Sequence, residues 1–254
     1  MKNVLVIGDA CKDEFVYCNC TKLCPEAPVP LLQIVTNTSN TGMAGNVANN
    51  LSALFVGVSN IFPKNYSNVT KTRYVDIKTN HMFIRIDNNE PSVEFNREQF
   101  LNYINHNAGF FDAVVISDYN KGFLSEDDIK YITSIVPLSF IDTKKQLGDW
   151  VKNATFIKIN EHEYNSSRQY IEQNNLKVIQ TAGSNGCFYN GKHYPVNKVG
   201  VIDVSGAGDT FLAGLVYEYL KTHNIEQSII FANKCAQQVV QKPGVSIVTL
   251  DEIN

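Results

Sequence analysis

The sequence predicts an α/β protein with a mostly parallel central sheet, and two features of the chain support this prediction. Residues Asn3–Ile7 form a continuous apolar run that ends in GDA, which is typical of a buried strand followed by a turn. From Asp112 onward, short apolar runs alternate with stretches of helical spacing, and this alternation favours a layered parallel sheet. Extended segments between the two regions predict a smaller second sheet, which we interpret as a lid.

The first half of the chain predicts the lid strands and one helix. Prolines in CPEAPVP argue against a helix or a central strand there, so we expect short extended segments at Phe15–Cys20 and Leu31–Thr36. The apolar spacing predicts a helix over Ala44–Phe55. Alternation over Arg73–Lys78 and His81–Ile86 predicts a hairpin that turns at TN. The lid segments are therefore expected at about 13–36 and 72–90.

The second half predicts the remaining strands and helices. The expected strands are DAVVIS, LSFID, ATFIKIN and KVIQT, with a capped helix at SEDDIKYITSIV and another helix between the last two strands. A hairpin over Cys187–Tyr194 and helices over Ala207–Lys221 and Ile225–Gln241 complete the chain. No internal repeat or linker is visible, so we expect a single domain over residues 1–254.

The composition excludes several classes of protein. The chain has 254 residues, of which 44% are hydrophobic and 19% charged, as in an ordinary soluble enzyme. The net charge is −3 and no basic stripe is visible, which argues against a nucleic-acid partner. No apolar run approaches the roughly 20 residues that would span a bilayer. No export cleavage site follows the N-terminal apolar run, so we expect a cytoplasmic protein without a membrane partner.

Four of the six cysteines, Cys11, Cys18, Cys20 and Cys24, fall close together. Their C-x-C-x₃-C spacing differs from the paired C-x₂-C spacing of common structural zinc sites. We therefore interpret them as reduced thiols on a strand and its turn.

The stretch VIDVSGAGDTFLAG places an aspartate behind a glycine-rich turn. No GK[ST] follows, so the turn is not a Walker A loop, and Phe211 stands where a dinucleotide fingerprint needs its third glycine. The small residues Gly206, Ala207 and Gly208 let an anion approach the free N–H groups at a helix start. Asp209 can be a helix cap, or it can take the proton of an alcohol that attacks a bound phosphate. The second role is what a small-molecule kinase requires.

DVSGAGDTF resembles the D-T-x-G-A-G-D signature of the ribokinase-like (PfkB) carbohydrate kinases, with Val204 in place of the usual threonine. The resemblance implies a three-layer α/β/α sandwich with a small β lid, and ATP-dependent phosphorylation of a sugar. It also implies that Asp209 is the catalytic base and that residues 206–208 with the Asp209 amide form the anion hole. Asp203 would shape the loop, with room for a monovalent cation such as K⁺ beside it.

Three further stretches resemble the nucleotide side of this family. KINEHEY contains N-x-x-E as Asn160 and Glu163, which the resemblance assigns to Mg²⁺ and its waters; by itself the pair is a helix cap with an acid in the first turn. TAGSNG resembles the turn T-x-G-x-x-G, and FANKCAQQVVQKPGVS resembles the segment that flanks adenine. The nucleotide-binding residues implied are Lys144, Asn160, Thr181, Gly183, Gly186, Asn233 and Gly244.

The N-terminal half resembles one subgroup of the family, the bacterial kinases of heptose 7-phosphate. PEAPVP and SDYNKG are specific to that subgroup, and FIRID resembles its I-R-x-D lid strand. Asp9 and Asp13 follow a strand and can accept hydrogen bonds from sugar hydroxyls, although Asp13 can equally form an Asx turn. GMAG before Asn46 resembles a G-G-x-x-N sugar-binding turn, with Met43 in place of the second glycine. The substrate-binding residues implied are Asp9, Asp13, Gly42, Asn46, Arg85 and Lys121.

Cations are needed if the substrate carries its own phosphate. Lys121, Arg73 and Arg85 are candidates, although each can also be a solvated surface charge. The expected reaction is phosphorylation of the anomeric hydroxyl of D-glycero-D-manno-heptose 7-phosphate by Mg·ATP under a closing lid. The alternatives are another sugar or sugar phosphate, such as a fructose phosphate or ribose, and a non-catalytic regulator that binds a sugar phosphate. The resemblance also allows a homodimer through the lid.

Two segments are shorter than is usual in the family. Little room for a helix and a strand is expected between Gly57 and Lys71, and a shortened helical region is expected between Glu163 and Lys177. Both lie away from the signature, so activity is expected to survive.

Overall fold

The computed structural model describes residues 2–107 and 109–253, in which twelve strands form two sheets. The strands are β1 (Asn3–Gly8), β2 (Ala10–Leu23), β3 (Pro30–Met43), β4 (Gly57–Ile61), β5 (Thr70–Asp76), β6 (Met82–Asn88), β7 (Ala113–Asp118), β8 (Ser139–Thr143), β9 (Phe156–Asn160), β10 (Val178–Thr181), β11 (Cys187–Tyr189) and β12 (Lys192–Tyr194). The helices are α1 (Ala44–Ala53), α2 (Arg97–His106), α3 (Glu126–Ile135), α4 (Glu161–Asn174), α5 (Ala207–Thr222) and α6 (Ile225–Val239). None of the described helices is both long and apolar enough to cross a membrane.

The larger sheet has the strand order β12-β11-β10-β9-β8-β7-β1-β4 and is parallel except for the β11–β12 hairpin at one edge. The side chains of β1 point alternately to the two faces of the sheet, and helices cover both faces. Val4 and Val6 pack in the core cluster that contains α1, α5 and α6, whereas Leu5 and Ile7 pack in the cluster that contains α2, α3 and α4. The predicted mostly parallel α/β/α sandwich is therefore confirmed.

The smaller sheet has the order β3-β2-β5-β6 and covers one end of the central sheet. Strands β2 and β3 each have 14 residues, so the prediction of short extended segments is wrong in length. Their cysteine, asparagine and threonine residues hide the alternation that a strand in contact with a protein body normally shows. The prolines lie in the β2–β3 connection, and Pro30 is the first residue of its strand, where a missing N–H is tolerated.

Two further parts of the chain differ from the prediction. The segment between Gly57 and Lys71, where little room was expected, holds the edge strand β4 and a 3₁₀ turn at Tyr66–Asn68. Helix α2 was not predicted, although Phe100, Tyr103 and Ile104 lie at helical spacing and pack against the core cluster that contains α3 and α4. The other five helices occupy the regions predicted for them.

The strand register determines where functional side chains meet. Parallel strands β1, β7, β8 and β9 end at the same edge of the sheet, with Gly8 opposite Ser117 and Asp118 opposite Thr143. Residues just beyond those ends therefore share one crevice, as in other open α/β sheets. The N-terminus of α5 contributes to the same crevice, because Asp209 bonds to the residue that follows β7.

Candidate active site

The first turn of α5 forms an anion site from backbone groups. Gly206, the residue before the helix, has φ +79°, which favours glycine. A Cβ there would lie 2.6 Å from the side-chain nitrogen Nδ2 of Asn46. The N–H groups of Gly206, Gly208 and Asp209 have no acceptor among the described residues. Ala207 differs, because its N–H donates to the Val204 carbonyl at 3.2 Å. Three free amides at the start of the helix are therefore available for a phosphate oxygen.

Asp209 lies one residue further along the turn and is only 5% exposed. Its Oδ2 accepts a hydrogen bond from Asn46 Nδ2 at 3.0 Å, and its Oδ1 accepts one from the Tyr119 hydroxyl at 2.6 Å. Burial raises the pKa of Asp209 to about 6, although the Tyr119 and Asn46 hydrogen bonds lower it and so limit the rise. A carboxylate with this pKa is ionised at neutral pH and remains basic enough to accept a proton.

A buried ion pair lies under the same turn. Lys158 Nζ is 2.6 Å from Asp142 Oδ2, and both side chains are no more than 4% exposed. The two residues are register partners on β8 and β9, and they lie two positions after Phe140 and Phe156, which face α5. A Cβ on Gly208 would lie 3.0 Å from Lys158 Nζ. The ammonium group therefore sits directly beneath the anion site.

Asn160 and Glu163 form the first turn of α4, where they make a reciprocal capping box. The Glu163 N–H donates to Asn160 Oδ1 at 2.9 Å, and the Asn160 N–H donates to Glu163 Oε2 at 2.8 Å. Lys144 Nζ lies 2.6 Å from Glu163 Oε1 and 3.7 Å from Asp142 Oδ1. Burial alone would lower the pKa of Lys144, but the Asp142 and Glu163 carboxylates raise it above its usual range. Asn160 and Glu163 therefore cap α4, and Lys144 connects Glu163 to Asp142 of the buried ion pair.

Asp9 orients the turn that carries Tyr119. It is 1% exposed, and its Oδ2 accepts the backbone N–H groups of Tyr119 at 2.8 Å and Lys121 at 3.2 Å. Burial raises its pKa. The Lys121 ammonium donates to Asn89 Oδ1 at 3.1 Å. Asp9 Oδ2 thus holds the backbone, and Asp9 Oδ1 accepts a hydrogen bond from the Ser92 hydroxyl at 3.5 Å. Binding of a sugar hydroxyl by Asp9 stays a prediction.

Asp13 is paired with Arg73 under the lid. Their 2.6 Å ion pair is buried, and the Arg73 guanidinium also lies 4.9 Å from the centre of the Phe15 ring. The Asx-turn alternative for Asp13 is wrong, because this residue lies within β2. Gly42 on the neighbouring strand is required for this arrangement, since a Cβ there would lie 1.9 Å from Asp13 Oδ2. Arg85, by contrast, pairs with Asp87 on the exposed strand β6.

Met43 occupies the position where the resembled motif has a glycine. Its φ of +57° is unusual for a residue with a side chain and stores strain of about 1–3 kcal/mol. The side chain is 3% exposed and packs in a small apolar cluster with Cys11, Val69 and Tyr119. Met43 therefore supports the ring of Tyr119 from the side of the lid.

The nucleotide-side residues fall into two groups. Thr181 is the register partner of Asn160, and Gly183–Asn185 form the 3₁₀ turn that follows, so this group shares the edge of the sheet with the anion site. Gly186, at φ +82°, leaves no room for a Cβ against the Tyr194 carbonyl. Asn233 is buried and donates to that carbonyl at 3.1 Å, so its amide joins α6 to β12.

Asp203 links the anion loop to the loop after α6. It accepts the N–H of Ser205 at 2.8 Å and that of Gly244 at 3.1 Å. A cavity of about 260 Å³ lies between these two loops and the inner face of the lid, beside Phe15 and Arg73. A monovalent cation at Asp203 stays a prediction.

Sequence reasoning missed Tyr119, Lys158, Asp142 and Lys71. Lys158 and Asp142 carried a usable signal, because each is a charged residue at a core-facing position of a buried strand. Tyr119 lay within SDYNKG, but nothing local indicated that its hydroxyl reaches Asp209. The Lys71 ammonium lies 5.3 Å from the centre of the Tyr119 ring, a contact between the lid and the body that only the fold reveals.

Comparison with known proteins agrees with this geometry. The model of the pfkB family of carbohydrate kinases matches residues 124–252, which is half of the chain and includes α5 and the anion site. The bifunctional protein HldE of Helicobacter pylori strain J99 is 29% identical over 307 aligned residues, which cover all of this chain and 66% of that protein. HldE of Nitratiruptor sp. is 29% identical over 98% of this chain and 64% of its own length. The chain thus spans about two thirds of the curated relatives it matches.

Solved structures show the same fold at low sequence identity. A ribokinase from Thermotoga maritima superposes with a TM-score of 0.73 at 16% identity, covering 100% of this chain and 98% of its own. Phosphofructokinase-2 from Escherichia coli, in complex with potassium, gives 0.73 at 12% identity, covering 99% and 96%. The predicted ribokinase-like fold is confirmed.

The chain belongs to the pfkB family of carbohydrate kinases. The predicted enzyme class, an ATP-dependent sugar kinase, is confirmed by this membership together with the ribokinase and phosphofructokinase neighbours. Kinases of this family use ATP and a divalent metal ion.

Proposed function

We propose that this chain transfers the γ-phosphoryl group of ATP to the anomeric hydroxyl of D-glycero-D-manno-heptose 7-phosphate, which gives the 1,7-bisphosphate. The similarity to HldE proteins extends over the whole chain, and PEAPVP and SDYNKG resemble the heptose 7-phosphate kinases. The observation that carries the chemistry is the buried carboxylate of Asp209 beside three free backbone amides.

Each step of the transfer has a residue suited to it. The sugar oxygen attacks the γ-phosphorus, a new O–P bond forms, and the bond to the β-phosphate oxygen breaks to release ADP. Asp209 accepts the hydroxyl proton, which its pKa of about 6 allows at neutral pH. The amides of Gly208 and Asp209 and the ammonium of Lys158 stabilise the negative charge on the transferred group.

Lysine side chains support a substrate that is itself anionic. In the described part of the chain, no carboxylate forms an ion pair with Lys71 or Lys121. Arg73 and Arg85 are less suited to this task, because Asp13 and Asp87 already neutralise them. Lys71 and Lys121 are therefore the preferred ligands for the phosphate of the sugar phosphate.

The donor set fits a Mg²⁺ ion that is bound mainly through ATP. Within residues 2–107 and 109–253, no group of three or more histidine, cysteine, aspartate or glutamate residues could hold a metal ion by itself. Mg²⁺ commonly keeps several waters and binds through substrate phosphates with one or two carboxylates. Glu163 would supply such a carboxylate through water, beside Asn160. Bound Mg²⁺ would neutralise charge on the phosphates of ATP.

The outer face of the lid supports a homodimer. Ile84 and Ile86 lie on one face of β6 and are each about half exposed. They point away from the body, because the intervening Arg85 pairs in register with the buried Arg73. Replacing both isoleucines by aspartate should convert a dimer to a monomer in light scattering, whereas Ile135→Asp on α3 should not. A wild-type monomer at micromolar concentration would reject this proposal.

The function is tested by ADP release from Mg·ATP with heptose 7-phosphate, fructose 6-phosphate, fructose 1-phosphate, ribose and no sugar. We expect the heptose phosphate alone to stimulate release strongly. Asp209→Asn should lower kcat by several orders of magnitude, and Asp149→Asn, which alters an exposed aspartate, should not. Stimulation by another sugar would show that the proposed substrate is wrong and that the proposed kinase chemistry is right. Ligand binding without ADP release from any sugar would favour a non-catalytic regulator.

A further inference from the structure

The side chain of Tyr119 is fixed from several directions at the centre of the site. Its backbone N–H donates to Asp9, and its ring packs in the cluster that contains Met43. Two ammonium groups flank the ring, with Lys71 Nζ 5.3 Å and Lys144 Nζ 5.5 Å from its centre. The hydroxyl therefore has a defined position, 2.6 Å from Asp209 Oδ1.

We propose that Tyr119 is a positioning residue for the general base: its phenol holds Asp209 Oδ1 and keeps the carboxylate ionised and oriented toward the sugar hydroxyl. This inference rests on the proposed role of Asp209. The geometry explains why two donors are needed. Asn46 restrains Oδ2 from α1, and Tyr119 restrains Oδ1 from the strand end opposite, so the carboxylate cannot rotate about χ2. Each oxygen retains a lone pair for an incoming hydroxyl.

The charges around Asp209 show how much depends on the phenol. Asp142 and the burial of the site favour the protonated form of Asp209, whereas Lys158 and the two hydrogen bonds favour the ionised form. Lys144 and Cys11 also face this carboxylate from β8 and β2. The hydrogen bond from Tyr119 lowers the pKa of Asp209 more than any other neighbour does, so its loss should let the effect of burial raise that pKa further.

Tyr119 is suited to act as a permanent donor. Burial and the neighbouring Asp209 and Asp142 raise the pKa of its phenol well above the usual value of 10. The phenol therefore stays protonated across the pH range in which Asp209 titrates. It does not compete as a proton acceptor, and the sugar proton passes to Asp209.

The test compares Tyr119→Phe with Tyr170→Phe. The first variant keeps the ring between the two lysines and removes the hydroxyl. The second removes the matched hydroxyl that donates to Asp149 Oδ1 at 2.7 Å, on the exposed side of α4. Two readouts are needed: the pH profile of kcat/KM, and the ionisation of Asp209 followed by ¹³C NMR of carboxyl-labelled aspartate, with the resonance assigned by its loss in Asp209→Asn.

We expect Tyr119→Phe to lower kcat by roughly 10- to 100-fold and to raise the ionisation midpoint of Asp209 by about one pH unit, as for the loss of one charge-assisted hydrogen bond. The acidic limb of kcat/KM should move upward with it, and Tyr170→Phe should change neither. An unchanged midpoint in Tyr119→Phe would overturn the proposal, whatever its rate. The NMR readout needs no turnover, so a failure of the proposed kinase function is distinguishable from a failure of this inference.

Discussion

Asn46 on α1 donates a hydrogen bond to Asp209 on α5 at 3.0 Å, although 163 residues separate them in the sequence. Asn46 is itself held one turn along the same helix by Asn50, whose amide donates to Asn46 Oδ1 at 3.1 Å. Asn50 Oδ1 in turn accepts the Val248 N–H at 3.1 Å. The base is therefore positioned by a buried polar network that joins α1, α5 and the C-terminal loop, and the closeness of α1 to α5 is a requirement of the chemistry.

The first prediction concerns how much the buried carboxylate of Asp209 lowers the free energy of unfolding. The folded state raises the pKa of Asp209 from 3.8 to about 6, so the stabilising contribution of the protonated form is complete below pH 3.8 and is lost as the pH rises through 6. At pH 8 the ionised carboxylate destabilises the fold. Asp209→Asn should then raise the free energy of unfolding by about 2 kcal/mol while it abolishes activity. The side-chain amide that this substitution introduces can still accept a hydrogen bond from Asn46 and can donate one to the Tyr119 oxygen.

Urea unfolding at pH 5, 6, 7 and 8 provides the measurement. The advantage of Asp209→Asn over the wild type should shrink as the pH falls toward 5. Asp149→Asn is the control, because that exposed carboxylate has its pKa lowered rather than raised. A constant difference between Asp209→Asn and the wild type at all four pH values would show that the carboxylate does not titrate in this window.

The second prediction separates the structural and catalytic roles of Lys158. Lys158→Met leaves Asp142 buried, with its Oδ1 already lacking a hydrogen-bond partner. The variant should lose about 3 kcal/mol of unfolding free energy as well as activity. Combining it with Asp142→Asn removes the charge that Lys158 no longer neutralises and leaves Lys144 with Glu163, which should restore most of the stability. The double variant should stay at least 100-fold slower than the wild type, because the charge beneath Gly208 is still absent.

Thermal unfolding and steady-state kinetics of the two single variants and the double variant separate the structural role of Lys158 from its catalytic role. Recovery of both stability and rate in the double variant would mean that Lys158 serves only to neutralise Asp142.

The pattern of the sequence was sufficient for the central sheet and insufficient for the lid. Apolar runs such as VLVIG and AVVIS identify buried strands because both faces of a parallel sheet are covered. Strand β3 faces solvent over most of its length, and from Thr36 to Thr41 it consists of threonine, asparagine and serine, so neither hydrophobicity nor alternation marks its C-terminal end. Helix α2 was missed for a different reason, because its apolar stripe of Phe100, Tyr103 and Ile104 spans little more than one turn.

The candidate site divides in a similar way. Asp209 was predicted because an acid behind a glycine turn makes a local pattern of residue types. The pattern of Asn160 and Glu163 predicted a helix cap by itself, and only the family resemblance assigned the pair to the site. Tyr119 and Lys71 reach the site through contacts between distant segments, and no local pattern specifies those contacts. Lys158 is an intermediate case. A lysine at a core-facing position of a strand is unusual and can be noticed in the sequence, but its partner Asp142 is known only from the strand register.

The third prediction concerns the shape of the sugar side. Gly42→Ala places a Cβ 1.9 Å from Asp13 Oδ2 and so must displace a carboxylate that the Arg73 ion pair holds. If Asp13 binds the sugar equally in the ground state and in the transition state, as predicted, the KM for the sugar should rise about tenfold or more, with a smaller change in kcat. Gly200→Ala is the matched control, since a Cβ at that exposed position meets nothing within 4 Å. Equal KM values for the two alanine variants would show that Asp13 does not bind the sugar.

The last prediction concerns the metal ion. Glu163→Gln keeps the shape of the capping box, because a glutamine oxygen can still accept the Asn160 N–H, but it removes the charge that faces Lys144. The fold should lose about 1–3 kcal/mol, because the new NH₂ group cannot accept from Lys144 or from Asn160 Nδ2. The Mg²⁺ concentration for half-maximal rate should rise roughly tenfold if Glu163 holds a water of the metal.

Glu161→Gln tests whether that effect is specific. Glu161 lies in the same first turn of α4 but is exposed, so it shares the helix-dipole position without facing the site. Titrating Mg²⁺ at fixed, saturating ATP for both variants separates the two carboxylates. A shift in Glu163→Gln alone would assign the metal to Glu163. Equal shifts in both would mean that the charge of the turn, rather than a ligand, attracts the ion.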